Sequence, residues 1–457
     1  MMARKILYFI LIYLFGYQFN VQAQNPKSGG YMGLWHSFGR RYEYGYKYSG
    51  GLATFSSQHN PMAVYSPEAK KTFFVYSGTP GPDTSQLQIM ISYFDHRTHK
   101  VPRPVIVYDK MGVNDPQDNA TISIDNKGFI WVFISGRGRT RPGYIFRSAN
   151  PYSIDAFEKK TQGEIVFPQA WWMRDSCFLM MHTKVLNGRE LYWTTGTDGM
   201  NWEPAKKLAG MGGHFQVTNI FGGKLFSVFS YCPGGNIDNR TNLYIVQTGD
   251  LGKTWKTIDG KLITTPLTEV KNDALIRDYE SEKKKVYIND LNFDREGNPV
   301  ILAIVSNDFR PGPQTAPREW TVIYRRNGEW NFIKVCNMPH NYNLGSIYTG
   351  DDEWRIIGPS DEGPQKYGTG GEMILWTSAD SGKTWKKELN ITSGSRYNNS
   401  YARRPFNASD EFYSFWADGD AERRSESHIY FTNKKCDKVW VLPYKMNKDF
   451  EKPIRIK

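Results

Sequence analysis

The chain reads as an all-β protein, a seven-bladed β-propeller, and three observations predict that class. Residues 248–255, T-G-D-L-G-K-T-W, return as residues 378–385, S-A-D-S-G-K-T-W, and a looser copy stands at 195–202, T-G-T-D-G-M-N-W. In each copy the Asp is placed to accept hydrogen bonds from turn amides and the Gly supplies a φ > 0 backbone. The Trp is set to bury between neighbouring sheets. Such Asp-box turns mark propeller blades. The second observation is spacing: Trp202, Trp255 and Trp385 are separated by about one and about two units of ~60 residues, so that seven units fill the chain. The third is period. No long stretch carries a 3.6-residue apolar repeat, whereas short apolar runs bounded by turn residues recur throughout.

The elements follow in order. Arg4 and Lys5 precede an apolar run over 6–15, and Val21, Gln22 and Ala23 form a small-residue cleavage site, which predicts a signal peptide over 1–23. No later segment has 18 consecutive apolar residues, so an exported chain with no membrane span is expected, with one catalytic domain over 24–457. Residues 62–65 and 72–77 read as one hairpin and 87–94 and 101–108 as the next, together one four-stranded blade. Residues 120–124 and 129–135 flank the turn at 125–128 and open the following blade, and 291–293 and 299–305 repeat that design.

Blade topology sorts residues onto faces. The innermost strand starts at the same end to which its neighbour returns, so Gln117, Asp118 and Asn119 should meet Arg137 and Arg139 at one central mouth, with His59 and Asn60 near it. If 47–56 is the outer strand that closes the ring, Trp35 and His36 start at the opposite face.

Composition points to the partner. The net charge of +12 favours an acidic one, and aromatic residues make up 15% of the chain, in keeping with a stacked core and with sugar-binding faces. With no nucleic-acid motif, a uronate- or sulfate-bearing polysaccharide is the natural candidate. Cys177, Cys232, Cys336 and Cys436 are far apart and lack metal-type spacing; disulfides and buried thiols both stay open.

Several phrases then carry a resemblance: G-Y-M-G-L-W at 30–35, Y-K-Y-S-G-G-L at 46–52, H-N-P-M-A-V-Y at 59–65, R-P-G-Y-I-F-R-S at 141–148 and R-T-N-L-Y at 240–244. In order, they resemble the BNR-repeat propellers, which include ulvan lyases of polysaccharide lyase families 24 and 25 and the rhamnosidases of glycoside hydrolase family 145. The lyases carry a His in a phrase like D-x-H-D-N and a second about 20 residues on. Here those positions are Gln117 and Arg137. An amide is no base and a guanidinium stays protonated, so elimination by that apparatus is not expected. The resemblance to family 145 implies instead an exo-α-L-rhamnosidase that cleaves L-rhamnose-α-1,4-glucuronate caps of arabinogalactan. Such an enzyme uses a single His on the opposite face of the propeller, assisted by the substrate's carboxylate.

His36 is the first candidate for that imidazole and His59 the second. His96 and His99 fall in a solvent turn, D-H-R-T-H-K, and His182 and His214 near strands. Arg240, Arg277, Arg403 and Arg404 are candidates to hold the carboxylate, and Tyr44, with Tyr42 and Tyr46, to stack on a sugar. No cofactor is expected. A structural Ca²⁺ or Zn²⁺ stays compatible, although no ligand spacing demands one. A monomer is expected. The alternatives are a lyase with a reorganised site on an ulvan-like glycan, and a glycan-binding propeller without catalysis. Against a sialidase stands the missing R-I-P phrase near the start.

Overall fold

The computed structural model describes residues 24–457 except 82–85, 114, 174–176, 187 and 351–352, so the expected leader over 1–23 lies outside the described residues. The described chain is strands, turns and three short 3-10 turns. Its first antiparallel sheet runs in sequence order through Ala63–Ser66, Lys71–Gly78, Leu87–Asp95 and Val105–Lys110. Six more sheets of four or more strands follow among the described residues. They start at Ala120–Ile124, Val166–Met173, Gln216–Phe221, Lys285–Phe293, Ser346–Thr349 and Asn398–Arg403. The fourth strand expected over 101–108 divides: Val101–Pro102 pairs with Phe450–Glu451, and the sheet resumes at Val105. Pro102 and Pro104 have no N–H for the ladder, which accounts for the break.

Consecutive sheets are joined through their first strands. Ile122 N–H donates to Pro61 O (3.0 Å), joining the second sheet to the segment leading into the first. Thr121 Oγ1 donates to Pro168 O (3.0 Å), Gln169 Nε2 to Gln216 O (3.0 Å) and Asn219 Nδ2 to Leu291 O (2.8 Å). Asn292 Nδ2 donates to Ile347 O (3.0 Å) and Ser346 Oγ to Ala402 O (2.9 Å). Phe406 N–H, just beyond the last of these strands, donates to Ala63 O in the first sheet (2.8 Å). The first-strand edges, which would otherwise present unpaired carbonyls, are thereby satisfied.

The repeated octapeptides form the expected turns, each between the third and fourth strand of its sheet. Asp250 Oδ1 accepts from Thr254 N–H (2.9 Å) and Thr248 Oγ1 (2.9 Å); Asp380 Oδ1 does the same with Thr384 N–H (2.9 Å) and Ser378 Oγ (2.8 Å). Asp198 accepts from the amides of Met200 and Asn201, both at 2.8 Å. Trp255 is fully buried and meets Trp193 of the preceding sheet edge-on at 5.4 Å, whereas Trp202 and Trp385 are half-buried. Gly252 has φ +79°, and a Cβ there would stand 2.2 Å from Trp193 Nε1; this turn docks on the neighbouring sheet as well as reversing the chain.

The N-terminal region differs from the expected closure. Gly33–Tyr42 and Gly45–Gly51 form a hairpin in a separate three-stranded sheet, completed by Ser425–Ser427 from the last large sheet's connection. Trp35 pairs with both Gly51 and Ser425 and packs on Gly419, at the end of a strand that returns to the mouth. His36 therefore lies at the same end as Gln117, not the opposite one. The sequence pattern of 47–56 marks a strand but not its partner.

Buried imidazoles set the acid response. Burial lowers His59, His182 and His340 to about 3 and His214 to about 4. They are neutral in the fold, while the unfolded chain takes up their protons below pH ~6.5. Stability is thus lost as pH falls through that value, by about 2 kcal/mol for each imidazole at pH 5. Thermal unfolding should show Tm dropping by several degrees between pH 7 and pH 5; a flat Tm over that window would contradict this account. Gly252→Ala should cost about 2–3 kcal/mol, read from the same unfolding curve, because strain and overlap with Trp193 coincide.

Candidate functional site

The segments that lead into the innermost strands converge on one pocket. Its walls come from residues 55–58, Gln117, Phe167, Phe215, Tyr287, Tyr342 and Leu344, with Arg189 and Arg240 between them and Tyr48 from the N-terminal hairpin. Gln117 sits in the 3-10 turn Pro116–Asp118, capped by Asp115, whose side chain accepts from Gln117 N–H (3.0 Å). Asn119 fixes the next step: its Nδ2 donates to Leu52 O (2.8 Å) and Phe55 O (2.9 Å), and its Oδ1 accepts from Ser77 Oγ (2.7 Å). Behind it, Asp118 is fully buried between Lys110 (2.6 Å) and Arg141 (2.9 Å). Burial pushes the Asp118 carboxyl up and the Lys110 ammonium down, and their attraction offsets part of both shifts.

The pocket is cationic. Gln117 Oε1 accepts from the guanidiniums of both Arg137 and Arg189, the latter at 3.1 Å. Arg240 donates to Tyr342 OH (2.8 Å) and lies over the Phe215 ring at 3.6 Å; Arg189 lies over Phe215 (4.9 Å) and Phe167 (5.1 Å). Burial, then the charges of Arg137 and Arg240, bring Arg189 down to about 10. Lys47, paired with Asp238, is brought to about 8 by burial and then by Arg240 and Arg189. Asp115 pairs with Arg137 and Arg141. A pocket so furnished can hold an anion and present phenols to it, but neither the Gln117 amide nor the protonated Arg137 guanidinium is basic enough to take a proton from carbon.

The sequence-derived candidates separate on this frame. Gln117 and Arg137 meet at the mouth, whereas Arg139 points away, with a side chain 85% exposed. Arg240 lines the pocket. His59 lies beneath it, with Nδ1 accepting from Ser56 N–H (3.1 Å) and Nε2 facing Gln117 O (3.2 Å). His36 stands on the hairpin opposite Gly50, outside the pocket lining, and burial and then Arg424 lower it to about 4. Arg403 is buried and donates to His59 O, below the floor. Arg404 does not enter the pocket: it is bound to Asp290 at 3.1 and 3.2 Å and borders a cavity at the opposite end. Arg277 is likewise elsewhere, on a sheet edge against Glu282 (2.7 and 3.0 Å). Tyr44 is at the hairpin tip, packed edge-on against Tyr367 at 5.0 Å.

Arg189, Lys47, Tyr48 and Tyr342 were not singled out by sequence. The rule that placed Arg137 could have found Arg189, since each follows the second strand of its sheet where that strand returns to the mouth. Among the described residues no three His, Cys, Asp or Glu side chains group as metal ligands, Cys232, Cys336 and Cys436 carry no disulfide, and no helix is long and apolar enough to cross a membrane.

A succession of antiparallel sheets around an aromatic, cationic pocket is a propeller-type architecture. The chain belongs to the BNR repeat-containing family, whose model matches residues 89–338. Among solved structures it is similar to an ulvan lyase of polysaccharide lyase family 25 bound to -[GlcA(1-4)Rha3S]-. The two are 15% identical, with a TM-score of 0.69, over 86% of this chain and 96% of that one. An α-L-arabinanase from Penicillium chrysogenum with arabinobiose matches at 12% identity and a TM-score of 0.38, over 67% and 91% of the two chains. No curated protein matches in sequence.

Removing Arg189 as Arg189→Leu should raise the Lys47 pKa from about 8 part of the way towards 10.5, because one repelling charge goes while burial stays. Titration of the ¹³C-methylated ammonium by NMR measures this; an unmoved pKa would show that the two charges do not interact.

Proposed function

We propose that the protein is a glycan-processing enzyme for a uronate-containing polysaccharide, hydrolysing L-rhamnose-α-1,4-glucuronate caps of the arabinogalactan type. One observation carries the hydrolytic reading: the two mouth positions where elimination would want imidazoles are an amide and a guanidinium bonded to each other, with the amide oxygen also accepting from Arg189. The anion-binding character of the pocket supports a glucuronate ligand, held by Arg189 and Arg240 with the faces of Tyr48 and Tyr342 beside it. Likeness in fold to a lyase seen with a glucuronate–rhamnose glycan agrees with that choice.

In this reading the seven large sheets are the blades of one ring over 24–457, a monomer exported by the leader over 1–23. The acidic sugar occupies the pocket and the capping rhamnose extends towards the strand that carries His36. Its depressed pKa keeps that imidazole neutral near pH 7, able to take the proton of the water that attacks rhamnose C1, while the C1–O4 bond breaks and the glucuronate O4 leaves with a proton from a second water that the substrate's own carboxylate orients. The reading requires no cofactor; a structural Ca²⁺ or Zn²⁺ is compatible with it.

A second reading, elimination, is favoured by one observation: the Tyr342 phenol lines the same anion site, held by Arg240 at 2.8 Å and pushed up to about 12 by burial, so that it is a proton donor there. Incubation with rhamnose-capped gum arabic and, separately, with ulvan decides between them. Hydrolysis gives free rhamnose and no unsaturated uronate absorbance; an unsaturated product would replace it with the lyase. His36→Ala should lower kcat about 100-fold or more with the fold intact. The kcat of protein shown to be folded at each pH should fall as pH drops through about 4, where His36 takes up its proton.

A further inference from the structure

The central pocket is shut in this structure: its walls leave a cavity of about 30 Å³, room for water but not for a sugar ring. Ile237 is one of those walls and belongs to the connection over 232–240, which follows the strand Lys224–Tyr231. Arg240, at the end of that connection, is crowded on its faces by rings, with its guanidinium carbon 3.6 Å from the centre of Phe215, 4.9 Å from that of Tyr287 and 5.3 Å from that of Tyr342. Its edge does the hydrogen bonding: Nε donates to Ile237 O (3.2 Å) and Nη2 to Tyr342 OH (2.8 Å). Elsewhere in the chain the same Nε/Nη2 edge takes a carboxylate. Arg277 gives it to Glu282 (2.7 and 3.0 Å) and Arg404 to Asp290 (3.1 and 3.2 Å). Among the described residues no carboxylate pairs with Arg240, so a main-chain carbonyl and a phenol stand where two carboxylate oxygens would. The connection that brings Ile237 there is built to move. Gly234 and Gly235 carry φ of +61° and +74°, and the amides of Gly235, Asn236 and Asn239 donate to Cys232, Pro233 and Asn236, all within the same stretch. Its ends are pinned, by Cys232 N–H on Gly213 O (2.7 Å) and Val286 N–H on Arg240 O (2.9 Å). Between the pins, Asp238 pairs with Lys47 of the N-terminal hairpin and Asn239 Oδ1 accepts from Lys285 Nζ (2.5 Å).

We propose that residues 233–239 are a gate over the central pocket, latched by Lys47 and Asp238, in which Ile237 O keeps the carboxylate position on Arg240 until a uronate takes it. The inference rests on the pocket being the glucuronate site. A carboxylate on the Nε/Nη2 edge makes a charge-assisted, two-point pair, which outcompetes a neutral carbonyl, and the withdrawal of Ile237 makes room for the sugar ring. The test is stopped-flow mixing of the whole protein with methyl β-D-glucuronide, followed by intrinsic fluorescence, together with a crystal structure of the complex. Because the gate must leave, the observed rate should level off with glucuronide concentration instead of rising in proportion to it. Asp238→Asn, at the exposed end of the latch, should raise that limiting rate about threefold. A charge effect on the approaching anion would alter the initial slope and leave the limit alone. In the complex, Arg240 Nε and Nη2 should lie on the glucuronide carboxylate with Ile237 O withdrawn. No binding, a rate that stays proportional to concentration, an unchanged limit in Asp238→Asn, or bound glucuronide with Ile237 O still on Arg240 would each overturn the gate. Gated binding without release of rhamnose from capped gum arabic would uphold the gate and refute the hydrolytic reading, so the two failures are told apart.

Discussion

The edges of the innermost strands are the constraint on which the molecule depends. A strand at the edge of a sheet presents carbonyls that must find donors once water is excluded. Here the donors belong to the preceding sheet: Thr121, Gln169, Asn219, Asn292 and Ser346 each reach a carbonyl of the sheet that follows. A side-chain donor has a short and definite reach, so each bond fixes both separation and register between sheets. The starts of the innermost strands are therefore held at fixed places, and those starts carry the walls of the central pocket.

That rigidity makes an unfavourable charge arrangement tolerable. Arg189 and Arg240 are both 9% exposed and close enough that each affects the other's surroundings. Charges so placed lose hydration and repel one another. Three features offset this: the Gln117 amide oxygen, the Tyr342 hydroxyl, and the Phe215 ring lying under both guanidiniums. None of them neutralises charge, so the site keeps its attraction for an anion. A carboxylate in place of Gln117 would remove it.

The sequence revealed the repeating part of this design and little of the irregular part. The Asp-box turns were legible because their hydrogen bonds close within one octapeptide. The meeting of Gln117 with Arg137 was legible because strand order alone brings those positions together. The N-terminal hairpin was not, because its partner Ser425–Ser427 is a three-residue stretch in a connection almost four hundred residues away, with no apolar alternation of its own. Arg277 and Arg404 illustrate the other limit. An Arg in a promising phrase is indistinguishable from one that serves Glu282 on an edge or Asp290 at the far end until the fold supplies the partner.

That hairpin has a consequence for the order in which the molecule is made. It contributes Tyr48 to the pocket, yet the far edge of its first strand, Gly33–Tyr42, is completed only by Ser425–Ser427. A ribosome that has released the first six sheets has supplied most of the aromatic and cationic lining without the segment that seats this wall. Chains halted before that point lack the finished pocket, and an anion meets its complete cationic lining only after the last sheet has arrived.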